Sequence, residues 1–162
     1  MSKPELPRAI VGFHKDENAD WVAELDCGHA QHVRHRPPFT LRPWVLSETG
    51  RRSQLGASLN CKLCLELALP VHFAPYRRTP EFTDESLPKA FLRDHTTAVG
   101  VWGKLYVTVG RLRYVIGEPF TQAYILAPTV PGIIPPAIAH RVEPIGAVRF
   151  YVEFWRAPSG VT

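Results

Sequence analysis

Ala147-Val148-Arg149-Phe150-Tyr151-Val152-Glu153-Phe154-Trp155-Arg156 alternates residue by residue between apolar and polar or amphipathic side chains. Successive side chains of an extended chain point to opposite faces, so Val148, Phe150, Val152 and Phe154 share one side. Arg149, Tyr151, Glu153 and Trp155 share the other. One oily face and one aromatic-charged face make this a half-buried strand. The pattern fits a barrel wall beside a polar pocket, and equally a solvated face with aromatic cover.

Neighbouring segments extend the β reading. Residues 104–109 and 112–116 flank Gly110-Arg111, a two-residue hairpin signal. Residues 122–126, 132–134 and 139–143 supply further short strands. The chain's 16 prolines and 11 glycines favour turns and short strands over a helical bundle. The expected fold class is mainly β, a small barrel or sandwich, over residues 71–162.

Upstream of residue 70 the composition changes. All three cysteines and five of the seven histidines (His14, His29, His32, His35 and His72) lie at or before position 72. Two domains are therefore expected, residues 1–70 and 71–162. In the first, residues 20–25 and 30–35 read as a hairpin with its turn at Asp26-Cys27-Gly28. Residues 61–69 have helical spacing, which places Cys64 at a helix start, where the dipole favours a thiolate.

Three cysteines cannot form a closed disulfide set, but three thiolates and one imidazole complete a tetrahedral zinc site. Cys27, His29, Cys61 and Cys64 are the expected ligands, with His32 as the alternative imidazole. Such a site would be structural, since catalysis needs an open coordination position. Against it stands the plainer reading of three small buried thiols and solvated histidines. A second constellation comprises His95, His140 and Glu153. Two imidazoles and a carboxylate with open positions suit Fe(II), Mn(II) or Zn(II), although a histidine in a β domain is more often a hydrogen-bonded structural residue.

A formal charge of +4 allows an anionic partner without requiring one. Arg34, Arg36, Arg42, Arg51 and Arg52 make the first module locally basic, which usually marks a solvated face; nucleic acid is not the expected partner. No apolar run reaches the length of a membrane span, and residues 1–7 lack the apolar core of a secretory signal, so the expected location is the cytoplasm.

Arg77 to Thr83, His95 to Lys104, Gly132 to Pro135, His140 to Pro144 and Val148 to Phe154 resemble, in order, the small domain of the tellurite-resistance-related family. The likeness spans residues 72–157 and implies a cupin-like double-stranded β-helix. Within it, Pro135 to His140 keeps the spacing of P-x-G-x-x-H with Ala137 at the usual glycine, and Thr97 stands where a second histidine of the first cupin motif would sit. Val109 precedes Gly110, so no acid is available there and Glu153 would supply the third ligand of a barrel metal, zinc or iron. Residues 8–70 resemble a small bacterial family with an I-V-G-F-H start, a C-G-H-x-Q-H-V-R-H-x-P-P core and a terminal C-x2-C, a likeness that implies no activity.

The expectation is thus a zinc-binding hairpin-plus-helix module ahead of a cupin-like barrel, acting in a tellurite or oxyanion stress response. Its partner would be a small anionic ligand at the barrel metal, with Arg149, Tyr151 and Trp102 lining the cavity. A homodimer is possible. Alternatives are a metal-dependent dioxygenase or isomerase, and an adaptor gripping nucleic acid or protein through the zinc module. No methyltransferase region follows residue 162, so methylation by this chain is not expected.

Overall fold

The computed structural model describes residues 3–159. Two antiparallel sheets dominate it. The first contains β1 (Pro7–Lys15), β2 (Trp21–Leu25), β3 (Ala30–His32) and β4 (Ser58–Asn60), in the order β3-β2-β1-β4. The expected hairpin is present: β2 pairs with β3 from Val22↔His32 to Glu24↔Ala30. Its turn closes through Gly28 N–H to Leu25 O (3.0 Å) and Leu25 N–H to His29 O (2.9 Å), with Gly28 at φ 96°. A Cβ on Gly28 would come within 2.3 Å of the Phe73 ring, so glycine is required there both by conformation and by space.

Between β3 and β4 lies a short helix, α1 (Glu48–Ser53), capped by the Ser47 hydroxyl, which accepts from Gly50 N–H. The helix expected over residues 61–69 is a single turn, α2 (Lys62–Leu65). Leu67 at φ 55° has already left the helical region.

The second sheet comprises β5 (Ala74–Arg78), β6 (Phe82–Thr83), β7 (Trp102–Ile116), β8 (Gln122–Leu126), β9 (Gly132–Ile134) and β10 (His140–Arg156). Its path is β5-β10-β7-β8, with β6 on β10 and β9 on β7, and it curves into a half-barrel. Here the expected hairpin at Gly110-Arg111 is overturned. Residues 102–116 form one strand, paired with β10 from Trp102↔Trp155 to Ile116↔His140. The two segments expected at 139–143 and 147–156 are likewise one strand.

Both long strands stay continuous by bulging. The register slips between Ile145↔Arg111 and Arg149↔Val109. Gly110 (φ 81°) and Gly146 (φ 66°) take the left-handed conformation at that slip. The glycine that reads as a turn is instead the point where the partner strand's backbone crowds in.

Alternation along β10 sorts the core. Val142, Val148, Phe150 and Val152 are buried against Leu105, Val107, Leu112, Tyr114 and Ile116 of β7. A second core joins Ile10, Ala23 and Leu25 of the first sheet and the flanking Leu6 and Val33 to Phe73 and Trp102. Ile133 and Ile138 pack against it, so the two parts of the chain share apolar surface across the expected boundary. No helix among the described residues is long and apolar enough to cross a membrane.

Candidate metal centre and barrel pocket

Cys27 and His29 flank the tight β2–β3 turn, while Cys61 caps α2 and Cys64 lies within it. The turn and the cap face each other because Leu6 N–H bonds to the Asn60 side chain (2.7 Å) and Cys61 N–H to Leu6 O (2.9 Å), tying α2 to the start of β1. All four side chains are buried. Their ligand atoms lie within 4.8 Å of one another, and this is the one such His/Cys/Asp/Glu group among the described residues.

The distances are those of a coordination polyhedron. His29 Nδ1 lies 3.4 Å from Cys27 Sγ, 3.3 Å from Cys61 Sγ and 3.5 Å from Cys64 Sγ. Cys27 Sγ and Cys61 Sγ are 3.8 Å apart, far beyond a disulfide bond, and all three cysteines are free. A tetrahedron with Zn–S near 2.3 Å and Zn–N near 2.0–2.1 Å has edges of about 3.8 Å (S···S) and about 3.6 Å (N···S).

The surrounding groups prepare the same chemistry. His29 Nε2 donates to Ala68 O at 2.6 Å, which fixes the ring and turns Nδ1 toward the sulfurs. Burial alone would lower the His29 pKa, but the Cys61 and Cys64 sulfurs outweigh it and pull it up to about 10, so a metal binding at Nδ1 would displace a proton. Hydrogen bonds with Cys27 and Cys64 hold the Cys61 thiol far below its ordinary value, whereas those with Cys61 and Cys64 push Cys27 up. One thiolate thus forms readily, and a cation in the centre would recruit the others. Trp102 Nε1 donates to Cys27 O (2.8 Å) and its ring meets His29 edge-on at 5.4 Å.

Arg8 is the residue that spacing did not reveal. Only 7% exposed, it donates from Nε to Cys64 Sγ (3.4 Å) and from Nη2 to Pro136 O (2.9 Å). A buried guanidinium needs a negative partner, and it has no carboxylate among the described ion pairs. Three thiolates around a divalent ion would carry a net charge of −1, which Arg8 would balance. A single arginine near the start of β1 gives no such signal in sequence.

His32, the alternative ligand, lies outside the cluster: its Nε2 is 2.7 Å from Asp16 Oδ2 in an exposed pair. The basic residues of this module are largely engaged within it. Arg34 pairs with Asp20, Arg52 with Glu48, and Arg51 lies 3.8 Å over the Trp21 ring.

The second constellation assembles only in part. An antiparallel bridge pairs His95 with His140, and their ring centroids are 4.3 Å apart. His95 Nδ1 donates to Arg93 O (2.9 Å) and His140 Nδ1 to Ile138 O (3.0 Å). A carbonyl can only accept, so each neutral ring keeps its lone pair on Nε2, and among the described residues no protein hydrogen bond reaches either Nε2. Burial lowers the His140 pKa to about 4, so this ring is neutral at pH 7. Both histidines line a cavity of about 310 Å³, whose other walls include Phe91, Leu105, Val142 and Phe150, with Arg77 and Tyr76 among its lining residues.

Glu153 does not join them. It sits on the opposite face of β10, where its Oε1 accepts from Trp155 Nε1 at 2.8 Å. Strand alternation forbids sharing: even-numbered residues from Phe150 to Phe154 face the cavity and odd ones face away. Arg149 and Tyr151 are displaced for the same reason, Arg149 meeting Glu81 (3.4 Å) and Tyr151 lying under the Arg78 guanidinium (3.7 Å). Trp102 belongs to the core beneath the metal centre. Thr97, expected to stand where a cupin would carry a second histidine, donates to Val101 O (3.0 Å).

Residues 77–152 match the TehB-like domain family, and residues 11–68 match a family described as protein of unknown function, DUF3565. A 39-residue stretch is 44% identical to the probable S-adenosyl-L-methionine-dependent methyltransferase TehB of Haemophilus influenzae, covering 24% of this chain and 14% of that protein. The chain therefore spans about one seventh of that curated relative. Among solved structures, TehB from Haemophilus influenzae aligns with 27% identity and a TM-score of 0.49, over 54% of this chain and 32% of that one. A protein from E. coli strain K12 aligns with 21% identity and a TM-score of 0.51, over 56% of this chain and 96% of that one. The larger sheet is thus similar to the TehB-like domain, and the preceding stretch, similar to DUF3565, holds a Cys/His cluster suited to a metal such as zinc.

Proposed function

We propose that this protein is a zinc-stabilised, cupin-like binding protein of an oxyanion stress response, tellurite being the ligand that the TehB relationship suggests. Zinc suits the closed set Cys27, His29, Cys61 and Cys64, whose edges have its dimensions and whose charge Arg8 completes. With no open position this ion is structural. The barrel pocket works without a metal, since two imidazoles with no converging carboxylate make an incomplete centre.

One observation carries the binding role: His95 and His140, whose Nδ1 atoms are engaged with backbone carbonyls, line a cavity that Arg77 also lines. A singly charged, protonated oxyanion fits that set. Its hydroxyl donates to a neutral imidazole, and its charged oxygens accept from the guanidinium. The apolar walls around His140 limit competing water there and strengthen that contact, while Arg77 would meet the ligand at the exposed rim. Isothermal titration of zinc-loaded protein with tellurite tests the reading. Arg77→Gln and His140→Phe should each weaken binding by about tenfold or more, as expected for a lost charge-assisted hydrogen bond. Equal affinity in all three proteins, or no binding to wild type, would overturn it.

A further inference from the structure

The metal centre and the histidine pocket belong to different sheets, yet one short run of chain touches both. Between β9 and β10, residues 135–139 link a cavity-lining residue, Ile134, to His140. Pro136 O accepts from Arg8 Nη2, and the same guanidinium donates from Nε to Cys64 Sγ. One residue further on, Ala137 N–H donates to Thr97 O (3.1 Å), and Thr97 Oγ1 reaches Pro135 O (3.4 Å). Thr97 follows His95 by two residues, and His95 and His140 exchange both backbone hydrogen bonds at 2.9 Å. Hydrogen bonds joined by short covalent links therefore run from the Cys64 sulfur to the backbones of both pocket histidines.

Ala137 shows that this run is held rather than relaxed. Its φ of 58° lies in the left-handed region, which costs an alanine roughly 1 kcal/mol or more. Such a residue persists where its neighbours over-determine it. The neighbours here are the Arg8 bond on one side and the Thr97 bond on the other.

We propose that Arg8 is a positioning residue for the barrel pocket, and that the ion in the Cys/His centre sets the pocket's order through it. The guanidinium stays buried because the thiolate-bound ion leaves a negative charge beside it, and its second donor then pins Pro136 and sets His140 in place. The DUF3565 module thereby braces the TehB-like pocket. The inference rests on the metal reading of the Cys/His cluster and is independent of what the pocket binds.

The experiment is residue-resolved amide hydrogen exchange on the full chain, with Zn²⁺ as the only added probe. Exchange at Ala137, His95 and His140 is compared with Val107 and Phe150, deep in the barrel. Wild type is measured zinc-loaded and after chelation, beside zinc-loaded Arg8→Met and Arg8→Lys. Chelation and Arg8→Met should each speed exchange at Ala137, His95 and His140 by at least tenfold relative to the two references. Arg8→Lys keeps the charge beside Cys64 but lacks the two-ended fork, so it should retain one zinc per chain and still lose protection at Ala137. Unchanged protection in zinc-loaded Arg8→Lys overturns the brace, as does uniform acceleration at all five amides on chelation. Should Arg8→Met fail to fold, those two measurements decide. Wild type that takes up no zinc overturns this inference and the metal reading together, while tellurite titration of the metal-free chain still decides what the pocket binds.

Discussion

His140 has the chemistry of a buried neutral base. Its Nδ1–H is fixed on Ile138 O, and burial, followed by the neighbouring His95, lowers its pKa from 6.5 to about 4. The sign of the linkage follows. Between those values the unfolded chain takes up a proton that the folded chain refuses, so this contribution is complete above pH 6.5 and is lost as pH falls toward 4. From pH 7 to pH 5 the loss is about 2 kcal/mol. His140→Asn keeps a donor for Ile138 O and cannot titrate. Urea unfolding at pH 7 and pH 5 should show wild type losing about 2 kcal/mol more than this variant. Equal losses would mean that the ring is charged in the folded chain. Residue chemistry of this kind was half legible in sequence. The four metal-facing side chains stand out because sulfur and imidazole at short spacings have few other uses, whereas Arg8, a lone arginine 56 residues from Cys64, has no local pattern to announce it.

Strand alternation is the element-scale signal that worked, and misapplied it also produced the main site error. The two faces of residues 147–156 are sorted as the pattern requires, with Phe150 and Val152 inside. Glu153, in odd register with Arg149, could never have faced a pocket lined by Phe150, Val152 and Phe154. The hairpin expected at Gly110-Arg111 failed for a different reason. A glycine between two β-like runs is the same in sequence whether the chain reverses or bulges, and only the partner strand decides. Here β10 passes so close that a Cβ on Gly110 would lie 2.2 Å from Ala147 O. Gly110→Ala therefore combines a left-handed φ with a backbone clash and should cost about 2–4 kcal/mol, read as a lowered denaturation midpoint with an unchanged slope. Gly56, also at positive φ (87°) but with nothing within 4 Å of its Cβ, is the control, and its alanine variant should lose about 1 kcal/mol. Equal losses at the two sites would show that crowding at the bulge contributes nothing. Strand β1 has no clean alternation because Pro7 and Gly12 interrupt it, and β4 is only three residues long with no apolar-polar pattern of its own.

At the scale of the molecule, the two sheets differ in what holds them. The barrel has its own core, with Leu105, Leu112, Tyr114, Ile116 and Phe150 almost fully buried. The first sheet buries fewer and smaller side chains and closes its core with Cys27, Cys61, Cys64 and the barrel's own Trp102. A segment of about 60 residues with so little apolar surface is marginal alone, and metal coordination is the usual remedy. Ion binding should therefore be folding energy for the first sheet and much less so for the second. Zinc-loaded protein should unfold in one thermal transition, because Trp102 and Arg8 couple the parts. Chelation, or Cys61→Ser, should split it in two. The lower transition would take the first sheet's signal, read from Trp21 and Trp44, and the upper would stay with the barrel. A metal-free protein that still melts once, at the zinc-loaded temperature, would show that the four ligands pack as ordinary buried side chains. The shared core would then need no ion to hold it.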